Sequence, residues 1–252
     1  MSALSDWIVS CLVLGLRIAP VFAFAPPFSL IPMPRLFRLL FGLGLAVSLV
    51  SAYPAATSLA NASLPTIALA AMRELMMGIV FVLAFELAFA ALYVAGRTID
   101  IQAGYGLALL IDPTSRAQTP LVGTLFAYAA GAAFFAADGQ IDLLHLFGAS
   151  LDAIPLGMWA MPDSIARITA FTSMAFLSAF GIAGGTILVL FLVDLTIALL
   201  SRTVPQLNVL ILGFQVKTIV LPLVLSLTFG ISGALLFRTM SMTLQAIPGM
   251  LR

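Results

Sequence analysis

Charge is what this chain lacks most. Only 8% of its 252 residues are Asp, Glu, Lys or Arg, against about 25% in a soluble domain. The 11 basic residues nearly balance the 10 acidic ones, for a formal net charge of +1. No basic field exists that could hold nucleic acid. The single cysteine, Cys11, excludes an internal disulfide and a cysteine metal cluster. The single histidine, His145, excludes a site built on two imidazoles. No Gly-rich phosphate loop with its Lys and Ser/Thr occurs, and no Gly-x-Ser-x-Gly nucleophile turn. Asp142 and His145 share a helix face at i, i+3, a spacing more typical of a surface contact than of a metal or acid–base site. The chain is therefore expected to be no enzyme and to need no cofactor or metal. What remains is apolar: 62% hydrophobic residues and a mean hydropathy of +1.18, the composition of an integral membrane protein.

Six apolar segments approach or exceed the roughly 20 residues that a helical span requires. They run Trp7–Ala25, Leu36–Ala52, Ile67–Ala95, Leu121–Ala137, Ile165–Leu200 and Val209–Phe237. The expected fold is all-α, with about six long hydrophobic helices arranged as membrane-type hairpins in one domain over residues 1–252. Ala23-Phe24-Ala25 resembles a signal-peptide cleavage site, but no basic residue precedes the apolar run, Arg17 interrupts it and Pro26 would follow the cut. Trp7–Ala25 is therefore expected to be a retained helix. The third and fifth segments are far longer than one crossing, so they must tilt, break or continue into a protein assembly.

The connections differ in chemistry. Pro26 to Pro34 is proline-dense and predicts an extended, semi-rigid strap. Tyr53 to Pro65 is uncharged. Asp138 to Asp163 is a connection with four aspartates, Asp138, Asp142, Asp152 and Asp163, and no Lys or Arg. Arg35, Arg38, Arg97, Arg116 and Arg202 fall in alternate connections, and positive charge marks the cytoplasmic side. The pattern predicts an outside N-terminus through five segments, then fails, because a sixth crossing would put Arg238 and Arg252 outside. Either the last segment, with Lys217 and Pro222, is a broken hairpin, or the chain does not follow simple bilayer topology; the second is favoured.

Small residues recur every four positions at Gly123, Ala127 and Gly131, at Gly181 and Gly185, and at Gly42 and Ala46. Such spacing lets helix backbones approach closely, within one chain or between subunits. Arg17, Arg73, Glu74, Glu86, Asp194 and Lys217 lie inside apolar segments. A charge at a bilayer centre costs at least about 2.5–3.5 kcal/mol on insertion scales, so each must meet a partner, a cavity or the interface. No Asp/Glu/His series is spaced as a proton relay, which favours pairing between helices or subunits over an ion pathway.

Residues 96–120 stand apart. Gly104-Tyr105-Gly106, then Asp112-Pro113-Thr114-Ser115-Arg116, then Pro120 are too rich in Gly, Pro and charge to cross a membrane as helix. Irregular backbone at membrane depth survives only within protein or beside water. This segment is either an exposed connection or part of a pore.

The order of this polar punctuation resembles the FliR/SctT family of type III secretion export-apparatus proteins, over essentially the whole chain. The residues that carry the likeness are Arg17 before the proline strap and Arg35/Arg38; Gly96, Ile99, Gln102 and Gly104; Asp112-Pro113 and Pro120; Asp138-Gly139, Ser150 and Pro155-Leu156-Gly157; and Arg202 to Asn208 with Gly213-Phe214 and Lys217. Asp100, where a small or apolar residue is expected, Leu107, where an aromatic is common, and Gln140, where a His is common, depart from the pattern. Gly213-Phe214 followed by Lys217 leans towards the flagellar branch and away from the injectisome.

The resemblance implies a subunit of the flagellar export gate, forming with FliP- and FliQ-like subunits a channel wrapped by an FlhB-like protein. It implies a multi-pass place in the bacterial cytoplasmic (inner) membrane and flagellar basal body, with unfolded export proteins as cargo. The apolar helices would then bury against neighbouring subunits, with Arg17, Glu74, Glu86, Arg97, Arg202, Asp194 and Lys217 as subunit contacts or buried charges. It further implies that the segment from Gly104 to Pro120 plugs the pore. Gly104 and Gly106 would permit unusual backbone and close approach. Leu107 to Ile111, with Leu110, would form an apolar body that excludes water. Asp112-Pro113 would turn the chain, and Pro120 would end the loop. A rival reading is a secondary transporter with Glu86, Asp194 and Lys217 around a midplane site.

Overall fold

The computed structural model describes residues 2–59, 62–105, 120–159, 166–204, 206 and 208–251. All regular structure among them is helical: α1 (Ser2–Phe24), a 3-10 turn (Phe28–Leu30), α2 (Arg35–Ala52), α3 (Leu64–Ala103), α4 (Leu121–Ala136), α5 (Gly139–Ala153), α6 (Ala166–Thr203) and α7 (Val209–Met250). Five of these are long and apolar enough to cross a membrane, or six if α4 and α5 count as one bent span. The all-α, membrane-type fold expected from composition is the fold observed.

Helix ends follow local chemistry. Pro26-Pro27 stops α1, α2 starts behind Pro34, and Pro120 precedes α4, because proline lacks the N–H that a helix interior needs. α3, α6 and α7 hold 40, 38 and 42 residues. At 1.5 Å per residue they are about 57–63 Å long, twice a hydrocarbon core of about 30 Å. α7 is one helix from Val209 to Met250, which removes the broken-hairpin explanation for the failed charge pattern.

Two connections differ from the sequence expectation. The proline strap is not extended throughout: Phe28–Leu30 makes one 3-10 turn, with Ile31 N–H bonded to Phe28 O at 3.2 Å. The acidic connection contains a helix, α5. It is set at 70° to α4, across a turn in which Asp138 takes a left-handed φ of 55°, a conformation that Asp tolerates better than most residues. Its buried residues Gly139, Leu143, Phe147 and Leu151 repeat every four positions, an amphipathic stripe hidden in the sequence by Asp142 within it and by Asp138 and Asp152 on either side.

The described chain forms two compact units. The first comprises Met1–Ala88, Phe134–Phe171 and Met240–Arg252, the second Phe89–Ala133 and Thr172–Thr239. In the first, Gly42 and Ala46 are buried on α2. A Cβ on Gly42 would lie 2.6 Å from Ala19 Cα, so that small-residue pair serves packing within the chain. A phenylalanine cluster fills the interior: Phe22 meets Phe28 at 4.6 Å between ring centroids, and Phe81 stacks on Phe147 at 4.9 Å. Phe85 meets Phe134 edge-on at 5.7 Å. Each such pair adds about 0.5–1.5 kcal/mol beyond the area it buries.

In the second unit, Phe126 meets Phe229 edge-on at 5.4 Å, and the buried hydroxyls of Thr186 and Thr228 bond at 2.8 Å. Gly181, Gly184 and Gly185 face open space, with nothing within 4 Å of a Cβ built on any of them. α6 and α7 leave much apolar surface uncovered, including Leu177 at 74% and Ile231 at 80% exposure.

Candidate functional site

The first unit is organised around a buried ion pair. Arg17 of α1 and Glu74 of α3 are both 0% exposed. Arg17 Nε donates to Glu74 Oε2 at 2.5 Å, and Nη2 donates to Oε1 at 2.8 Å. This is the two-pronged geometry that suits guanidinium to carboxylate. Two further N–H groups of the guanidinium are used as well. Nη1 donates to Ser150 Oγ at 3.0 Å, and Nη2 to Ile154 O at 3.2 Å. The Ser150 hydroxyl in turn donates to Phe147 O at 2.7 Å. Burying two charges costs several kcal/mol each unless partners surround them, and here they do.

The pair also shapes the loop after α5. Gly157 N–H donates to Glu74 Oε1 at 2.8 Å, and Arg73 Nη1 donates to Gly157 O at 2.8 Å. Gly157 has φ +75°, and a Cβ there would sit 2.8 Å from Ala70 Cβ. Both facts demand glycine. The loop is held from its other side by Leu156 N–H, bonded to Ala56 O at 2.9 Å. Trp159 Nε1 then donates to Leu251 O at 3.0 Å, which ties the loop to the chain's last described residues. Arg17, Ser150 and Pro155-Leu156-Gly157, quoted above as separate fragments of a family pattern, thus belong to one bonded network.

The second unit carries its polar groups at the end of α3. Gly104 has φ +89°. Its N–H bonds Ile101 O at 3.1 Å, and Tyr105 N–H bonds Asp100 O at 3.0 Å. This is the Schellman arrangement, which satisfies the last carbonyls of a helix. Lys217 Nζ covers a further one, donating to Gln102 O at 2.7 Å, and pairs with Asp194 Oδ1 at 2.6 Å. Gln102 Nε2 donates to Ile187 O at 3.1 Å. The Asp194 side chain is 44% exposed and that of Lys217 13%, so this pair is far wetter than the first.

Asp100 is buried, and its carboxylate accepts from Val122 N–H, with both oxygens 3.1 Å away. Oδ2 also lies 3.4 Å from Gly123 N. α3 and α4 approach closely there, since a Cβ on Gly123 would fall 2.8 Å from Tyr93 O. Sequence reasoning noted Asp100 only as a departure; its spacing to Pro120 carried no signal that a side chain would cap α4 from another helix.

The other charges named from sequence are differently placed. Glu86, Arg97 and Arg202 are exposed and have no bonded partner among the described residues. Pro120 is buried ahead of α4. Gly106, Leu107, Leu110, Ile111, Asp112 and Pro113 lie outside the described residues. Asp142 and His145 occupy the exposed side of α5. Among the described residues no group of three or more His, Cys, Asp or Glu is placed to share a metal ion.

The sequence model of a family described as bacterial export proteins, family 1, matches residues 8–243. The flagellar biosynthetic protein FliR of Bacillus subtilis (strain 168) is 28% identical over 258 residues, covering 100% of this chain and 98% of its own length. The FliR of Escherichia coli (strain K12) is 28% identical over 222 residues, covering 86% and 79%. The Yop proteins translocation protein T of Yersinia pestis is 28% identical over 156 residues, covering 61% and 60%.

Proposed function

This chain belongs to the bacterial export proteins, family 1, and we propose that it is a subunit of the type III export gate that passes unfolded flagellar proteins through the bacterial inner membrane. The observation that carries the reading is the match over residues 8–243, joined to end-to-end likeness with a flagellar FliR. The flagellar branch is preferred to the injectisome because that likeness spans the whole chain, whereas the translocation protein T matches 61% of it.

Physical features support an assembly. The chain alone leaves Leu177, Ile231 and much of α6 and α7 uncovered, and the glycines at 181, 184 and 185 face open space. FliP- and FliQ-like subunits would bury these faces, and an FlhB-like protein would wrap the outside. Exposed Glu86 and Arg202 would meet charges of those neighbours, since an unpaired charge on an apolar helix is costly. The Gly104–Pro120 segment would obstruct the pore, and unfolded cargo would displace it. The work of transport would come from partners or the proton gradient, with no covalent chemistry by this chain.

Two experiments test this. Purification after expression with and without FliP- and FliQ-like subunits is expected to yield a stable complex only when they are present. A well-behaved solitary protein with substrate-dependent proton flux would favour a secondary transporter instead. Deleting Leu107–Ser115 is expected to raise small-solute leak in cells; unchanged permeability would remove the plug assignment.

A further inference from the structure

The start of α2 combines apolar exposure with a charge that the chain leaves unanswered. Met33, Leu36, Phe37, Leu40 and Phe41 are all exposed. Arg35 stands among them, exposed and bonded to nothing among the described residues. Contiguous apolar surface of this kind marks a place where protein or lipid docks.

No carboxylate nearby in sequence answers the charge. From Trp7 to Arg73 the chain holds no Asp or Glu. Arg17 is taken by Glu74, and Arg38 folds back, its Nη1 donating to Phe28 O at 3.4 Å. Arg35 is left over. It also sits in the first turn of α2, which holds no acidic residue and where a cation opposes the helix dipole. An anion from outside the chain would offset that cost.

Side-chain size and helix length indicate what lies against this surface. Helices that pack on helices in a membrane put small residues at the contact. α2 does so on its inner face, where Gly42 is set against Ala19 of α1. α6 carries small residues outward at Gly181 and Gly185, which suits another subunit. The start of α2 instead shows Leu and Phe, side chains that partition favourably into lipid. Small exposed residues return only further along, at Gly44 and Ser48. Length points the same way. α2 has 18 residues, about 27 Å, close to one hydrocarbon core of about 30 Å. When α2 crosses once, Arg35 lies in the headgroup layer, on the side that positive charge marks as cytoplasmic.

We propose that the chain from Met33 to Phe41 is a lipid-docking surface, with Leu36, Phe37, Leu40 and Phe41 among acyl chains and Arg35 holding the headgroup of an anionic phospholipid. The proposal rests on the membrane placement given above and on no part of the plug.

The test uses the full chain with whatever subunits co-purify, reconstituted into vesicles of phosphatidylcholine and phosphatidylglycerol. A fluorophore is attached through Leu36→Cys or Phe41→Cys, with the buried native thiol removed by Cys11→Ala. Brominated acyl chains on one lipid or the other quench the fluorophore on contact. Both labels are expected to be quenched. At Leu36 the relative affinity for phosphatidylglycerol is expected to be about fivefold, the factor that one arginine supplies at an anionic surface. Arg35→Gln is expected to remove that preference and Arg35→Lys to keep it. Labels that neither brominated lipid quenches would mean that protein or water covers the surface, and would overturn the proposal. So would equal quenching by both lipids in the unmodified chain, or a preference that survives Arg35→Gln. Gate membership is read separately, from co-purification: a chain that binds no partner subunit fails that reading, and its lipid contacts are still read in the same vesicles.

Discussion

Removing Glu74 should be among the most damaging single changes available to this chain. Glu74→Ala leaves the Arg17 guanidinium at 0% exposure, with Nε stripped of its only acceptor and Nη2 left with Ile154 O alone. It also strips Gly157 N–H of its acceptor. Breaking a buried pair by deleting one partner costs about 3–5 kcal/mol, a large share of a typical stability of about 5–15 kcal/mol. For a chain of this size each kcal/mol lowers Tm by about 2–4 °C, so a fall of about 6–20 °C is expected. Arg17→Met should cost a similar amount, because it leaves a buried carboxylate held only by Gly157 N–H. The double variant Arg17→Met, Glu74→Met should be far less damaging than the sum of the singles, since no uncompensated charge remains. It should still fall short of the unmodified chain, because Ser150, Ile154 and Gly157 lose partners. The assay is thermal unfolding of the purified assembly in detergent, followed by loss of co-purifying subunits. Single variants within about 2 °C of the unmodified protein, or a double variant equal to the sum of the singles, would refute the view that this pair is a dry, mutually dependent unit.

Other expectations follow from the same geometry. Lys217→Met should lower Tm by less than Glu74→Ala, because it loses a pair with a half-exposed carboxylate, about 0–1 kcal/mol, and one charged hydrogen bond to Gln102 O, about 1.5–3 kcal/mol; a loss as large as that of Glu74→Ala would contradict the contrast between the two pairs. Gly157→Ala forces a side chain into φ +75° against Ala70 Cβ and should cost about 1–3 kcal/mol, read as a Tm drop of several degrees. Gly123→Val should abolish the α3–α4 approach and with it protection of the Val122 amide from exchange. Gly185→Leu meets nothing within the described chain, so it should leave chain yield unchanged while reducing co-purification of partner subunits; unimpaired co-purification would mean that no neighbour covers that face.

How much of this was readable beforehand depended on the range of each interaction. The helices were legible because runs such as Ala166–Thr203 announce themselves by apolar length alone. The boundaries at Pro26, Pro34 and Pro120 were legible because proline disfavours helix locally, although the lone Pro20 is carried inside α1. α5 was lost in the acidic connection because its stripe of Leu143, Phe147 and Leu151 is short and flanked by Asp142 and Asp152. The one-turn helix at Phe28–Leu30 was lost because proline density reads as extended chain whenever the following turn is only three residues long.

The charges show the same division. Arg17 and Glu74 were identifiable as residues that must find company, since an isolated charge in an apolar helix is expensive. Nothing in their order along the chain said that they would find each other across 57 positions, or that Gly157 would join them. Glu86 carried an equal sequence signal and is exposed.

Composition and hydropathy thus determined by themselves that the chain is helical, apolar and membrane-type, because those properties are sums over neighbours in sequence. Which charge meets which, where α4 finds its cap and which small-residue faces stay open were decided only by tertiary structure. Those outcomes depend on helices brought together from distant parts of the chain, and a hydrogen bond near 3 Å specifies its partner far more sharply than any periodicity can.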